Sequence, residues 1–380
     1  MSEAIKTFDA VIAGGGVIGA TIALELVEAG LRVGIFDARE PGREASWASA
    51  GMIAPAPESA EMTPFVPMSV TSAAMYPELV RKVEQLSGMS VGFRKDGALE
   101  VAFSGDGEEE LRAAAGLQQK VGLKAELVSA EKARLMEPLL SGKICAAMWR
   151  EDEASLDARA FTEAALKAAQ RKGVQIFTGN GAQALWKEKG RCKGLMLKRG
   201  QAEAKWTVIA AGCFSAQIEG VAQYAPVFPV KGQMMALRCD AGEIHHALWM
   251  GHTYLVPRSD GRIIAGATIE RTGFDYNVTA GGMKTILNAA TQIVPGLEKA
   301  RIVETWTGLR PDSPDHLPII GPTDVEGLLI ATGHYRSGIL LAPVTARLIR
   351  EWASERSVSV DWDRVSPMRF VEARRRAGSC

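Results

Sequence analysis

The feature that most constrains this chain is a glycine-rich turn, Gly14-Gly15-Gly16-Val17-Ile18-Gly19, set between a short apolar run and a helical pattern. Phe8 to Ala13 (FDAVIA) is apolar and partly β-branched and reads as a strand. Ala20, Ile22, Ala23, Leu26 and Val27 then follow the turn at helical spacing. Gly30 suits the left-handed residue that ends a helix, and Arg32 to Asp37 (RVGIFD) is a second short strand. The unit is βαβ. Gly14 permits the tight turn, Gly16 lets a diphosphate approach the backbone, and Gly19 lets the helix pack closely on the sheet. The helix N-terminus adds free N–H groups and a favourable dipole. Asp37 closes the second strand where a carboxylate accepts hydrogen bonds from ribose hydroxyls and repels a 2′-phosphate. An ADP moiety is expected there.

The turn alone does not separate NAD from FAD. After Asp37 the alternation of strand and helix stops, and Arg43 to Ile53 (REASWASAGMI) is a run of small residues. It reads either as backbone lying close to an extended ligand or as a small-residue helix packed on the sheet. Trp206 to Gly212 (WTVIAAG) is another short buried strand, a candidate third approach to the cofactor. Late in the chain, Gly327 to Thr332 is a strand, Gly333 to Gly338 a loop, and Ile339 to Trp352 a helix carrying Pro343. A second helix N-terminus after a strand suits the negative charge that builds on a reduced flavin, and NAD sites do not need it. FAD is the expected cofactor.

Composition excludes other classes. Lys+Arg and Asp+Glu are 44 each, so no basic surface marks a nucleic-acid or anionic-lipid partner. Cys145, Cys192, Cys213, Cys239 and Cys380 are scattered without CxxC spacing, so neither a zinc site nor a disulfide framework is expected. The apolar stretch from Ala10 to Leu31 is interrupted by Glu25 and Glu28, so we expect a cytoplasmic protein with no signal peptide and no membrane span. At 380 residues, 47% of them hydrophobic, two domains are expected.

The chain resembles the glycine oxidase branch of the D-amino acid oxidase superfamily. The resemblance is carried by GGGVIG at 14 to 19, ASAGMIAPAPE from Ala48 to Glu58, PVKGQ from Pro229 to Gln233, and YLVPRSDGRIIAGAT from Tyr254 to Thr268. Two further blocks are the most specific, GLRPDSPDHLPIIG from Gly308 to Gly321 and GHYRSGILLAP from Gly333 to Pro343. It implies an α/β fold in which a discontinuous, Rossmann-like FAD-binding domain is joined to an α+β substrate or cap domain built on a mixed or antiparallel sheet. On that plan residues 1–75, 140–225 and 306–370 form the FAD domain, residues 76–139 and 226–305 the cap, and residues 371–380, with Arg374, Arg375 and Arg376, a flexible solvated tail.

The resemblance also implies site residues. Val17, Ile18, Asp37, Ala38, Ala45, Ser46, Ala50, Gly51 and Met52 would contact FAD, with Ala182 near the adenine. The loop His334, Tyr335, Arg336, Ser337, Gly338, Ile339 and Leu340 would complete that site. Arg310 would hold a substrate carboxylate, Tyr254 would hydrogen-bond it, and the backbone carbonyl of Arg336 would receive the amine. Met52 and Glu58 would line the wall or entrance. Asp312 stands where glycine is usual in the glycine oxidases, and Ile269 where a methionine can line the pocket, which puts substrate preference in question. The cysteine that tethers flavin in sarcosine oxidases has no evident counterpart, so FAD is expected without a covalent link.

The implied reaction is oxidative deamination of glycine and other small amines, such as sarcosine and small D-amino acids, with oxygen as acceptor, giving glyoxylate or another 2-oxo acid, ammonia and hydrogen peroxide. A D-amino acid dehydrogenase passing electrons to a quinone, or a non-catalytic FAD-binding protein, are the rival readings. A homo-oligomer and a place in thiamine thiazole synthesis follow by analogy alone. The residue chemistry agrees: a planar guanidinium gives a carboxylate two parallel charge-assisted hydrogen bonds, which a lysine does not. Tyr254 begins an alternating strand, its hydroxyl aimed at a ligand or capping a core contact. His252 is the nearest candidate base in sequence, though a lone histidine is more often structural.

Overall fold

The computed structural model describes residues 6–56, 66–239, 242–354, 357–359 and 361–377. Its first sheet has the βαβ unit at its centre: Lys6–Ala13 runs parallel to Val33–Phe36 on one side and to Gln201–Ile209 on the other. Gln175–Phe177 extends the parallel order outward, and Leu328–Thr332 joins Gln201–Ile209 in parallel. Ile319–Pro322, Arg191–Leu197 and Ala182–Glu188 add antiparallel pairings. The central strands are buried on both faces and read as continuous apolar runs, as parallel sheets require. The helices Val17–Glu28, Val66–Ser87, Ala158–Arg171 and Gly338–Ala353 bury their apolar faces in one core against this sheet.

The second sheet has eight strands in the order Arg301–Asp312, Phe228–Arg238, Arg262–Gly266, Thr253–Pro257, Ala247–Met250, Ala98–Ala102, Ala146–Arg150 and Ala125–Ser129. It is mixed: Ala247–Met250 and Ala98–Ala102 are parallel and the other neighbours antiparallel. Its strands alternate with period two, so adjacent residues enter different cores. Met235, Leu237, Leu255 and Ala265 pack with the helix Ala280–Ile293, while Met234, Ala236, Tyr254 and Val256 face the other way, toward Ala48 and Ala50 of the first half. The expected alternation of Tyr254 and Val256 against Leu255 is what the strand adopts. Among the described residues no helix is long and apolar enough to cross a membrane.

The structure departs from the expected boundaries in four places. The helix Val66–Ser87 runs through the boundary placed at residue 75, and Tyr76, Leu79, Val80 and Val83 lie in the core of the first sheet rather than in a cap. Ala146–Arg150 belongs to the second sheet, pairing with both Ala98–Ala102 and Ala125–Ser129. Arg301–Asp312 also stays in the second sheet to its last residue, paired with Phe228–Arg238 throughout. As an edge strand it tolerates Pro311, whose missing N–H costs no ladder bond there. The residues from 371 to 377 are not a loose tail but part of the helix Met368–Ala377. Arg369 at its start reaches Asp315 at 2.7 Å, and Arg375 reaches Asp324 at 3.1 Å, acids the tail reading did not bring near.

Candidate functional site

One cavity of about 700 Å³ lies between the two sheets, and both helix N-termini anticipated from the sequence open on it. At the first, Gly14 has φ +104°, and a Cβ there would lie 2.5 Å from the Ala210 carbonyl oxygen. A Cβ on Gly19 would stand 2.0 Å from the Gly14 oxygen, so this glycine serves the close helix contact and not the cavity wall. Gly14, Gly16, Val17 and Ile18 line the cavity. The Val17 N–H donates to Ser46 Oγ at 2.9 Å. Asp37 also lines it, with its carboxylate accepting the N–H groups of Gly15 at 2.7 Å and Arg39 at 2.9 Å. That keeps an anionic group at the end of the second strand, where the ribose reading put it.

The small-residue run is helical in its first part and extended in its second. Ala45–Ala48 is a single helical turn, and the chain is extended at Ser49 before Met52–Ile53 pairs with Ala154–Ser155. Side chains from elsewhere hold its carbonyls. Arg159 Nε donates to Trp47 at 3.1 Å, Trp306 Nε1 to Ala48 at 3.1 Å and Arg258 Nη2 to Ala50 at 2.6 Å. Burial pulls the Arg258 guanidinium down to about 10. Ala45, Ser46, Ala50 and Met52 face the cavity. Gly51 does not: at φ +71° its Cβ position falls 1.9 Å from the Leu156 oxygen, so glycine is needed here for a backbone crossing rather than a ligand contact.

The far end is formed by Ala38, Gly181 and Ala182, with a Cβ on Gly181 only 2.6 Å from that of Ala38. Ala210, Ala211, Gly212, Cys213 and Phe214 supply the third approach, after the strand Gln201–Ile209. Cys213 is the one cysteine lining the cavity among the described residues, and burial pushes its thiol up to about 12. Glu44, from the small-residue run, and Phe214, just beyond the strand Gln201–Ile209, are wall residues, as is Arg39, which the sequence did not single out.

The loop from His334 to Leu340 lines the opposite end and leads into Gly338–Ala353. Pro343 inside this helix has no N–H to give the Ile339 carbonyl four residues back. The Tyr76 hydroxyl donates to that oxygen instead, and Ser72 Oγ donates to the Leu340 oxygen at 2.7 Å while accepting from Val344 N at 3.2 Å. His334 is buried with Nε2 3.0 Å from Thr345 Oγ1, and burial holds its imidazole down to about 3, so it is neutral. Tyr335 has φ +47°, and its N–H donates to the Pro311 oxygen at 2.8 Å, which fixes this loop against the strand that carries Arg310.

Arg310 lines the same cavity. Its Nη1 donates to the carbonyl oxygens of Thr268 at 3.1 Å and Lys231 at 3.4 Å. A Cβ on Gly232 would meet the guanidinium at 2.4 Å, so the glycine of PVKGQ makes room for the arginine. Among the described residues Nη2 has no hydrogen-bond partner, which leaves that edge of the fork for a ligand. Tyr254 is 7% exposed, stacked edge-on to Trp249 at 5.4 Å, with its hydroxyl 3.9 Å from Met234 S. Arg336 also lines the cavity, His252 is exposed at its rim, and Glu58 lies outside the described residues. Ile269 is 42% exposed and is not part of the cavity wall. Asp312 is fully buried and accepts the Ser313 N–H at 2.9 Å, and it lies 2.9 Å from Nδ1 of His316, a wall residue held at φ +60°.

These residues fit a dinucleotide with a broad head group: an acid and small residues at one end, a helix N-terminus with glycines in the middle, and a second helix N-terminus beside a guanidinium at the other. The comparisons agree. The bifunctional protein ThiO/ThiG of Synechocystis sp. is 36% identical over 96% of this chain and 54% of its own length, so the chain spans about half of that relative. A glycine oxidase from Geobacillus kaustophilus is 31% identical over 93% of this chain and 95% of its own. The crystal structure of glycine oxidase from that organism superposes with a TM-score of 0.91 at 30% identity, covering 96% of this chain and 99% of the other. The model of the FAD dependent oxidoreductase (DAO) family matches residues 9–352, and the chain belongs to that family of FAD-dependent enzymes.

Proposed function

We propose that this chain oxidises small α-amino acids, with glycine first, to the imino acid, which water then hydrolyses to the 2-oxo acid and ammonia. Bound FAD, held by the residues at the two helix N-termini, would supply the two-electron redox chemistry, with oxygen and two protons becoming hydrogen peroxide. The observation that carries the reading is Arg310, a guanidinium in the cavity wall whose Nη1 is fixed by two carbonyl oxygens. Held this way it does not have to be ordered by the substrate, and a dry site strengthens each charge-assisted hydrogen bond it gives a carboxylate. In this reading Tyr254 donates to the same carboxylate and the Arg336 carbonyl accepts from the amine, which is supported by both residues lining the cavity with Arg310. Met234, Trp249 and Met52 line the cavity with Tyr254, so a side chain on the substrate meets bulky groups, which favours glycine. Attachment of FAD without a covalent link is supported by Cys213, whose buried thiol stays protonated and is a poor nucleophile. The imine product suits consumption in thiamine thiazole synthesis, as the resemblance implies.

Anaerobic bleaching of the flavin absorbance by glycine, sarcosine, D-alanine and D-proline, followed by air and peroxide detection, tests this reading. Bleaching by glycine and prompt peroxide are expected. In Arg310→Ala, kcat/KM for glycine should fall by at least about 100-fold, the loss of roughly 3 kcal/mol of transition-state binding. Bleaching by a larger D-amino acid alone, with reduced flavin persisting in air, would replace the oxidase by a dehydrogenase.

A further inference from the structure

Residues 268–279 leave the second sheet, reach the wall of the first half of the molecule, and return. Nothing in the oxidation itself calls for this excursion. Two large side chains on it, Phe274 and Tyr276, are 43% and 42% exposed, yet their inner edges rest on the cavity wall. The Phe274 ring lies 5.1 Å from that of Phe214. The Tyr276 hydroxyl donates to Glu44 Oε2 at 2.8 Å, and Arg39 Nη1 reaches the same hydroxyl at 3.4 Å while its guanidinium sits 4.8 Å over the Phe214 ring. Phe214, Glu44 and Arg39 all line the cavity between the second strand and the third approach.

The root of the segment is tied down with unusual care. Lys231 has a side chain only 1% exposed, with Nζ 2.6 Å from Asp275 Oδ2 and 3.5 Å from Glu270 Oε2. A buried ammonium is tolerated only when such partners surround it, so these acids are held to the lysine as firmly as it is to them. The Gln233 amide donates to Glu270 Oε1 at 2.7 Å and accepts from the Thr279 N–H at 2.7 Å, and Thr307 Oγ1 donates to the Tyr276 carbonyl at 2.7 Å. Both ends of the segment are therefore fixed to the second sheet, and only its middle touches the other half.

We propose that residues 268–279 form a strap that retains FAD by closing the wall at Arg39, Glu44 and Phe214, with Lys231 as its anchor. The proposal rests on the cofactor occupying this cavity, and it goes beyond the substrate reading. The test uses holoenzyme, with FAD release followed by the rise in flavin fluorescence on dilution. The double variant Phe274→Ala/Tyr276→Phe removes the ring contact and the hydroxyl, and its release should be about tenfold faster, since lost interface contacts appear mainly in the off-rate. Tyr276→Phe alone, which keeps the ring and its packing, should accelerate release about threefold and decides the matter if the double variant fails to fold. A purely structural segment would instead lower the urea midpoint of the FAD-free protein with release unchanged, and that result overturns the proposal. Wild-type protein that binds no FAD would overturn the cofactor assignment itself.

Discussion

Two helix N-termini face one cavity, and they are built in opposite ways. Val17–Glu28 follows a turn whose requirements are met within a few residues: a left-handed glycine at Gly14, a missing Cβ at Gly19, and a continuous i to i−4 ladder behind them. Gly338–Ala353 carries a proline in its second turn, and the buried carbonyls that it leaves without a helical donor are satisfied by Tyr76 and Ser72, which lie more than 260 residues earlier. The first terminus takes its shape mainly from its own turn, and Ala210 against Gly14 and Ser46 on the Val17 N–H are added to it from farther along the chain. The second exists only when another helix is docked against it, so the loop from His334 to Leu340 inherits its shape from the whole core.

The largest effect is expected at the local terminus. Gly19→Ala places a Cβ against the Gly14 oxygen, where the backbone has nowhere to move, and should cost about 3 kcal/mol or more together with most bound FAD. The flavin-to-protein absorbance ratio after purification checks it, and normal FAD content would show that this turn is more plastic than its geometry implies. At the long-range terminus, Tyr76→Phe leaves the Ile339 oxygen buried without a donor and should lower unfolding stability by about 2 to 3 kcal/mol in urea. A loss too small to measure would mean that water or a shift of the helix replaces the hydroxyl, and the contrast between the two termini would weaken.

The smallest effect depends on pH. His334 is buried and neutral, with its folded pKa depressed to about 3 from 6.5. A depressed base binds its proton more readily in the unfolded chain, so its contribution is complete above pH 6.5 and is lost as pH falls toward 3. Relative to His334→Gln, the wild-type protein should lose about 2 kcal/mol of stability by pH 5. Parallel pH profiles for the two proteins would show that the imidazole is wetter than its burial implies.

What was legible in the sequence followed the range of the interactions involved. The nucleotide turn, the alternation of Tyr254 with Leu255, and Arg310 all announce themselves through neighbours a few residues away. That the helix Val66–Ser87 braces Gly338–Ala353 is not legible in its sequence, because apolar spacing shows that a face is buried without saying against what. Asp312 stood out as a departure from glycine, yet its partner His316 and its complete burial depend on how the loop after the edge strand folds back. Arg374, Arg375 and Arg376 are solvent-exposed as expected, but the helix that carries them was not legible, because Asp324, which receives Arg375, is distant in sequence.

The sequence by itself determined the βαβ opening and the class of cofactor, and it singled out Arg310 as the guanidinium proposed for a carboxylate, because glycine geometry, strand period and side-chain charge are properties of short stretches. Only the tertiary structure decided which carbonyls around Pro343 find donors, where Gly51 is spent, and that residues 268–279 close on Arg39, Glu44 and Phe214. Those outcomes rest on contacts between segments far apart in the chain, and their partners come within reach of one another only after both sheets have packed.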